Sequence, residues 1–146
     1  MSNEEPVAAG TFIHRFNVPA DAIDENGHVN NVVYIQWMQD VAIRHSIASG
    51  GTAAMRAAGC TWLVRSHTVE YLSPAYAGDS IEASTWVEYF HRVRSLRQYR
   101  FVRTSDSKLL ARGETVWVFV SAGTGRPHAI PGSVSACFLP MSNRGP

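Results

Sequence analysis

At 146 residues with 13 basic and 12 acidic side chains, the chain is sized for one domain with its own core, and its charge is too balanced for a polyanion partner. Its composition, 45% hydrophobic and 17% charged, excludes a disordered chain, and no apolar run approaches the roughly 20 residues that span a bilayer. Residues 1–10 are polar and acidic without a secretory pattern, so they read as a flexible tail on a cytoplasmic protein.

Cys60 and Cys137 are too few for a disulfide framework and lack zinc-ligand spacing, which makes both of them buried or half-buried thiols. Lys108 is the only lysine; the other cations are arginines, whose planar fork suits phosphate and carboxylate, although an arginine-rich coding bias explains the composition equally well.

Along the chain, Phe12, Phe16 and Val18 lie within a strand-like alternation over 11–18 that Pro19 ends. Ala20 to Gly27 is a polar, breaker-rich loop. From about Asn30, residues Tyr34, Trp37, Met38, Val41, Ala42 and His45 recur at steps of three and four until Ser49-Gly50-Gly51, which predicts a helix of about five turns. Val33, Ile35 and Ile47 widen its apolar stripe, as for a helix wrapped by a sheet. A short second helix over 52–58 precedes four long strands over 61–71, 79–90, 92–104 and 109–121, and residues 126–146 read as irregular. One long helix against a mostly antiparallel five-stranded sheet is an α+β arrangement, and no phosphate-binding glycine loop is present.

The densest polar cluster is Asp24-Glu25-Asn26-Gly27-His28-Val29-Asn30-Asn31, where the loop becomes the long helix. Free N–H groups of a first helical turn, with the helix dipole, favour developing negative charge, so a thioester carbonyl placed there would be polarised. Asp24 could attack that carbonyl or deprotonate a water, and Gly27 would permit close substrate approach. The same residues also fit a plainer role in which Asn30 or Asn31 caps the helix, Asp24 complements its dipole and His28 is a surface residue.

The run Asp24-x-Asn26-x-His28-Val29-Asn30-Asn31-x-x-Tyr34-x-x-Trp37 resembles the signature of hotdog-fold thioesterases of the 4-hydroxybenzoyl-CoA thioesterase type, and is similar to the motif of plant acyl-ACP thioesterases. Glu70-Tyr71-Leu72-Ser73-Pro74 with Gly78-Asp79, and Thr124-Gly125-Arg126-Pro127 with Ile130-Pro131, extend the resemblance from Phe12 to Pro131, within one domain over 11–131 followed by a tail over 132–146. The resemblance implies a hotdog fold and hydrolysis of an acyl-CoA, or an acyl-ACP, without a cofactor other than the coenzyme A of the substrate. It implies Asp24 as the catalytic carboxylate, Asn31 as the helix-start position whose N–H polarises the carbonyl, and Asn26 and His28 as catalytic or orienting groups. Where the plant enzymes carry a further acidic residue just beyond the Glu-Tyr pair, this chain has Leu72, Ser73 and Pro74, which favours the single-carboxylate scheme. Two subunits joined edge to edge, with sites between them and often paired again into a tetramer, are also implied.

Tyr34, Trp37, Met38 and Trp62 are candidates for lining an acyl or aryl pocket, or for the core. Arg92 and Arg94 fall on one face of a strand, opposite Arg97 only if the period slips; they are either solvated cations or contacts for coenzyme A phosphates. His45 and His67 read as structural, and no histidine pair has metal-ligand spacing. The alternatives are a hydratase or dehydratase of the same fold, whose usual separated Asp and His are not found here, and a non-catalytic acyl-CoA binding protein, against which Asp24, Gly27 and Asn31 argue.

Overall fold

The computed structural model describes residues 10–138, so most of the expected N-terminal tail and the last part of the C-terminal one lie outside the described residues. Strand β1 (Phe12–Asn17) leads through a short 3-10 turn to helix α1 (Asn31–Ser49) and helix α2 (Gly51–Ala57). Strands β2 (Cys60–Tyr71), β3 (Ser80–His91), β4 (Arg94–Arg103) and β5 (Lys108–Ser121) follow, and then the short helix α3 (Gly132–Ser135). The five strands form one antiparallel sheet in the order β1-β3-β4-β5-β2, with α1 lying across one face. The α+β architecture expected from the sequence is the one observed.

Helix α1 begins at Asn30, whose side-chain oxygen accepts from the Val32 N–H at 3.0 Å, and ends at Gly50, whose φ of 88° is the left-handed conformation that favours glycine. Its buried face is Tyr34, Trp37, Met38, Val41, Ala42 and His45, as their spacing predicts. The wider stripe does not bury completely, because Ile47 is 64% exposed while Val33 and Ile35 are half-buried. The sheet therefore covers one face of α1 and leaves the other open.

Close seating of α1 requires a glycine in β5. A Cβ on Gly113 would stand 2.9 Å from Met38 Sδ and 3.0 Å from the Thr68 carbonyl oxygen, and the latter is backbone that cannot rotate away.

Residues 132–138, expected to be irregular, instead form α3 and a 3-10 turn. Val134 and Phe138, spaced i to i+4, bury beside Cys60, Val87, Phe90 and Phe119. A Cβ on Gly51 would overlap the Phe138 ring, so α2 and this closing segment meet at a point without a side chain.

Strand β4 turns Ser95, Arg97, Tyr99 and Phe101 towards the helices. Arg97 is thus a core residue at 5% exposure. Its Nη1 donates to His45 Nδ1 at 2.9 Å and to Thr85 Oγ1 at 3.1 Å, and its guanidinium lies 5.5 Å from the Phe138 ring centroid. The His45 ring stacks on Phe12 and meets Phe138 edge-on. Burial, helped by the neighbouring Arg97 charge, pushes the His45 pKa down to about 4, which keeps the imidazole neutral and its Nδ1 an acceptor.

Two consequences are measurable. Gly113→Ala should destabilise the fold by about 1–3 kcal/mol, the usual penalty for overpacking, read as a lower urea midpoint at unchanged slope. His45 stays neutral in the folded chain while an unfolded histidine protonates near pH 6.5, so the unfolded state binds more protons between about pH 6.5 and 4. Stability from this residue is complete above that window and is lost as the pH falls through it. Melting curves across pH 4–7.5 should show a smaller acid loss for His45→Gln than for wild type.

Candidate active site

The loop ahead of α1 is a miniature hairpin. Ile23 and Val29 form an antiparallel bridge, and the Asp24 N–H donates to the His28 carbonyl at 3.0 Å. The Gly27 N–H closes the turn onto the Asp24 carbonyl, with Gly27 at φ 84°; a Cβ there would meet nothing, so backbone conformation alone calls for glycine. Asp24 Oδ1 accepts from the Asn26 N–H at 2.9 Å. This Asx turn fixes the carboxylate while Oδ2 has no partner among the described residues.

His28 Nδ1 stands 3.4 Å from the Val29 carbonyl oxygen; a proton held there leaves Nε2 free to accept. The Asn26 side chain is exposed at the turn. Two further bonds tie the loop down: the Val29 N–H donates to the Ala75 carbonyl and the Asn30 N–H to the Ala22 carbonyl.

Asn30 is the cap and Asn31 the first helical residue. Because Asn30 satisfies the Val32 and Val33 N–H groups, the open donor of the first turn is the Asn31 N–H, which has no partner among the described residues. The Asn31 carbonyl accepts from the Tyr71 hydroxyl at 2.9 Å. Asp24, His28 and Asn31 therefore share one end of the molecule, with a nineteen-residue helix directing its positive dipole end there.

The aromatic candidates divide between two places. Tyr34 and Trp37 sit in the core beneath this helix start, in contact with Phe16, Tyr71 and Phe101. Trp62 instead lines a cavity of about 420 Å³ between the second half of α1, α2 and the sheet. Its wall includes Ala42, Met55, Val87 and Trp117, together with Arg97.

Arg92 and Arg94 lie at the far end of the molecule from Asp24. Arg92 is in the tight turn between β3 and β4, at φ 58°, and Arg94 opens β4; both are exposed. With Arg92 and Val93 in the turn, β4 alternates without a slip, and the irregularity belongs to β3 between Val87 and Tyr89. Among the described residues no group of three or more His, Cys, Asp or Glu side chains is placed to hold a metal.

Two residues of consequence lack a local sequence signal. Tyr71 reaches the helix start only through the fold, forty positions away in the chain. Arg97 is a cation at a position where charge argues against burial, although strand alternation sets it inward with Tyr99 and Phe101.

The fold is shared with several solved structures. A 1,4-dihydroxy-2-naphthoyl-CoA thioesterase from Synechocystis superposes with a TM-score of 0.78 at 15% identity, over 88% of this chain and 95% of that one. A Staphylococcus aureus protein solved in complex with CoA gives 0.80 at 21% identity, over 92% and 85%. The 12:0-ACP thioesterase from Umbellularia californica gives 0.79 at 18% identity, over 92% of this chain and 56% of that one. No curated protein matches the chain. The model of the thioesterase-like superfamily matches residues 18–138, which span the Asp24 loop, all of α1 and the four strands after it. With this match and its hotdog fold, the chain belongs to the thioesterase-like superfamily, whose reaction class is thioester hydrolysis.

Proposed function

We propose that this chain hydrolyses acyl-CoA thioesters to the free acid and coenzyme A. The observation that carries the reading is the Asp24 carboxylate, pinned through one oxygen by its Asx turn and open at the other, at the same end as the unpaired Asn31 N–H. A thioester oxygen against Asn31 would be polarised by that N–H and the helix dipole, and the tetrahedral oxyanion would be held more tightly than the ground-state carbonyl. Asp24 then acts in one of two ways. As nucleophile it adds to the carbonyl carbon, coenzyme A leaves as thiolate, and water hydrolyses the resulting anhydride. As general base it takes a proton from water, whose hydroxide adds to the carbonyl before the thiolate departs. His28 Nε2 and Asn26 are the groups proposed to orient that water, and neither scheme invokes a cofactor.

CoA is the carrier in the proposal because the Synechocystis enzyme is named for a CoA thioester and the S. aureus protein was solved with CoA; an acyl-ACP is the carrier suggested by the Umbellularia enzyme. Arg92 and Arg94 are the proposed contacts for the coenzyme's phosphates.

A two-fold dimer brings these pieces together. β2 is a twelve-residue edge strand paired on one side only, with Leu63 51% exposed. Antiparallel pairing with a second β2 removes that open edge. It sets the Trp62 end of one strand beside the Tyr71 end of the other, so each cavity mouth faces the helix start of the second copy. Arg94 lies level with Leu63 across β5, on the same side of the dimer as that helix start.

Asp24→Asn should lower kcat for acyl-CoA by about 10²–10⁴-fold, scored as free thiol with a disulfide reagent, while the folded variant keeps its melting temperature. Near-normal turnover by that variant would refute the role, and a hydration reaction would release no thiol at all. Light scattering should give two or four times the chain mass; a fully active monomer would contradict the paired-edge site.

A further inference from the structure

The cavity beside Trp62 is apolar in shape but not in charge. Among the described residues its two charged wall residues, Arg56 and Arg97, are both cations, and no aspartate or glutamate lines it. Arg56 is exposed, so water screens it, whereas Arg97 is buried.

Both bonds of Arg97 leave from Nη1 and end on neutral acceptors, His45 Nδ1 and Thr85 Oγ1. The N–H groups on Nε and Nη2 donate to no described residue, and no carboxylate of a described residue is paired with this guanidinium. His45 cannot supply the missing charge, since imidazole is neutral or positive. Phe138 offers only its ring face.

A buried ion without a counter-ion is expensive, and a methionine or leucine would fill the same space at lower cost. The Nε–Nη2 edge of a guanidinium matches the two oxygens of a carboxylate, and that is the edge left unused here. The anion that the described residues do not provide is one a ligand can bring.

We propose that this cavity takes the acyl chain and that Arg97 pairs with a carboxylate at its far end, so the substrate class is an ω-carboxyacyl thioester, the monothioester of a dicarboxylic acid. This specificity rests on the hydrolytic reading above, but the anion site can be measured apart from turnover.

Two arms separate them. In the first, hexanoate and its neutral isostere hexanamide are titrated into the full-length protein, followed by calorimetry and by the fluorescence of the cavity tryptophans. Wild type should bind hexanoate at least tenfold more tightly than hexanamide, Arg97→Met should lose that preference, and Arg97→Lys, which keeps the charge without the fork, should keep part of it. In the second, adipoyl-CoA and hexanoyl-CoA are compared by thiol release, with kcat/KM expected at least tenfold in favour of adipoyl-CoA in wild type and level in Arg97→Met.

Equal binding of hexanoate and hexanamide by wild type overturns the anion site without any variant being needed. A preference for hexanoate that survives unchanged in Arg97→Met overturns the assignment to Arg97. Turnover of hexanoyl-CoA with no gain for adipoyl-CoA overturns the substrate class and leaves hydrolysis standing. If neither thioester is turned over while hexanoate still outbinds hexanamide through Arg97, the hydrolytic reading fails and the anion site stands.

Discussion

The start of α1 is held from three directions, and the chemistry available to this protein depends on that anchoring. The Asn30 side chain caps the first turn, the Asn30 N–H ties the preceding loop to Ala22, and the Tyr71 hydroxyl from β2 grips the Asn31 carbonyl. Below, Tyr34 and Trp37 interlock edge-on with each other and with Phe16, Tyr71 and Phe101. An N–H can stabilise an oxyanion only if it does not have to reorganise as charge develops. The aromatic residues beneath the helix therefore act on the rigidity of that donor. They fix where the Asn31 N–H points.

Much of this was open to reading from residue order. The period of α1 identifies all six of its buried residues, and the Asp24-to-Asn31 cluster stands out as polar residues crowded before a helix, where the unpaired N–H groups must lie. Three features resist such reading for definite reasons. Val134 and Phe138 have helical spacing, but Pro131, Gly132 and Pro140 around them signal a loop, and only the pocket left by Gly51 rewards their burial. The turn at Arg92 contains no glycine or asparagine, so an arginine in the left-handed region has to be found rather than inferred. The two-residue offset keeps the phase of β4, so alternation sets Arg97 inward with Tyr99 and Phe101 wherever the strand begins. Distance is the third obstacle: nothing near Tyr71 in the chain announces that it will meet Asn31.

The single chain leaves several features open on related sides. Its long edge strand exposes Leu63 and Val64, its cavity opens beside those residues, and its exposed Arg92 and Arg94 lie at the opposite end from Asp24. Open sheet edges are usually short, charged or covered, because unpaired strands invite association. Here the edge runs for twelve residues and has a single register irregularity, between Val64 and Ser66. Pairing of two such edges would relieve the exposure and join the separated parts in one step, which is a stronger reason for a dimer than exposed apolar area alone.

The two ends of α1 are electrically different, and the charged groups of the molecule are arranged accordingly. The positive end of the dipole faces the loop of Asp24 and the unpaired N–H, where a reaction intermediate would carry its negative charge. The negative end lies in the last turns, where His45 hands Arg97 a neutral acceptor and the helix carbonyls lower the cost of a buried cation. That help is partial, because a dipole acts within about one turn and contributes roughly 0.3–2 kcal/mol, well below the several kcal/mol needed to desolvate an ion. The remainder is left for an anion to supply. Across the proposed pair of chains, a molecule with its thioester at the Asn31 N–H of one copy and a carboxylate at Arg97 of the other would engage both groups, and an uncharged acyl chain would engage only the first.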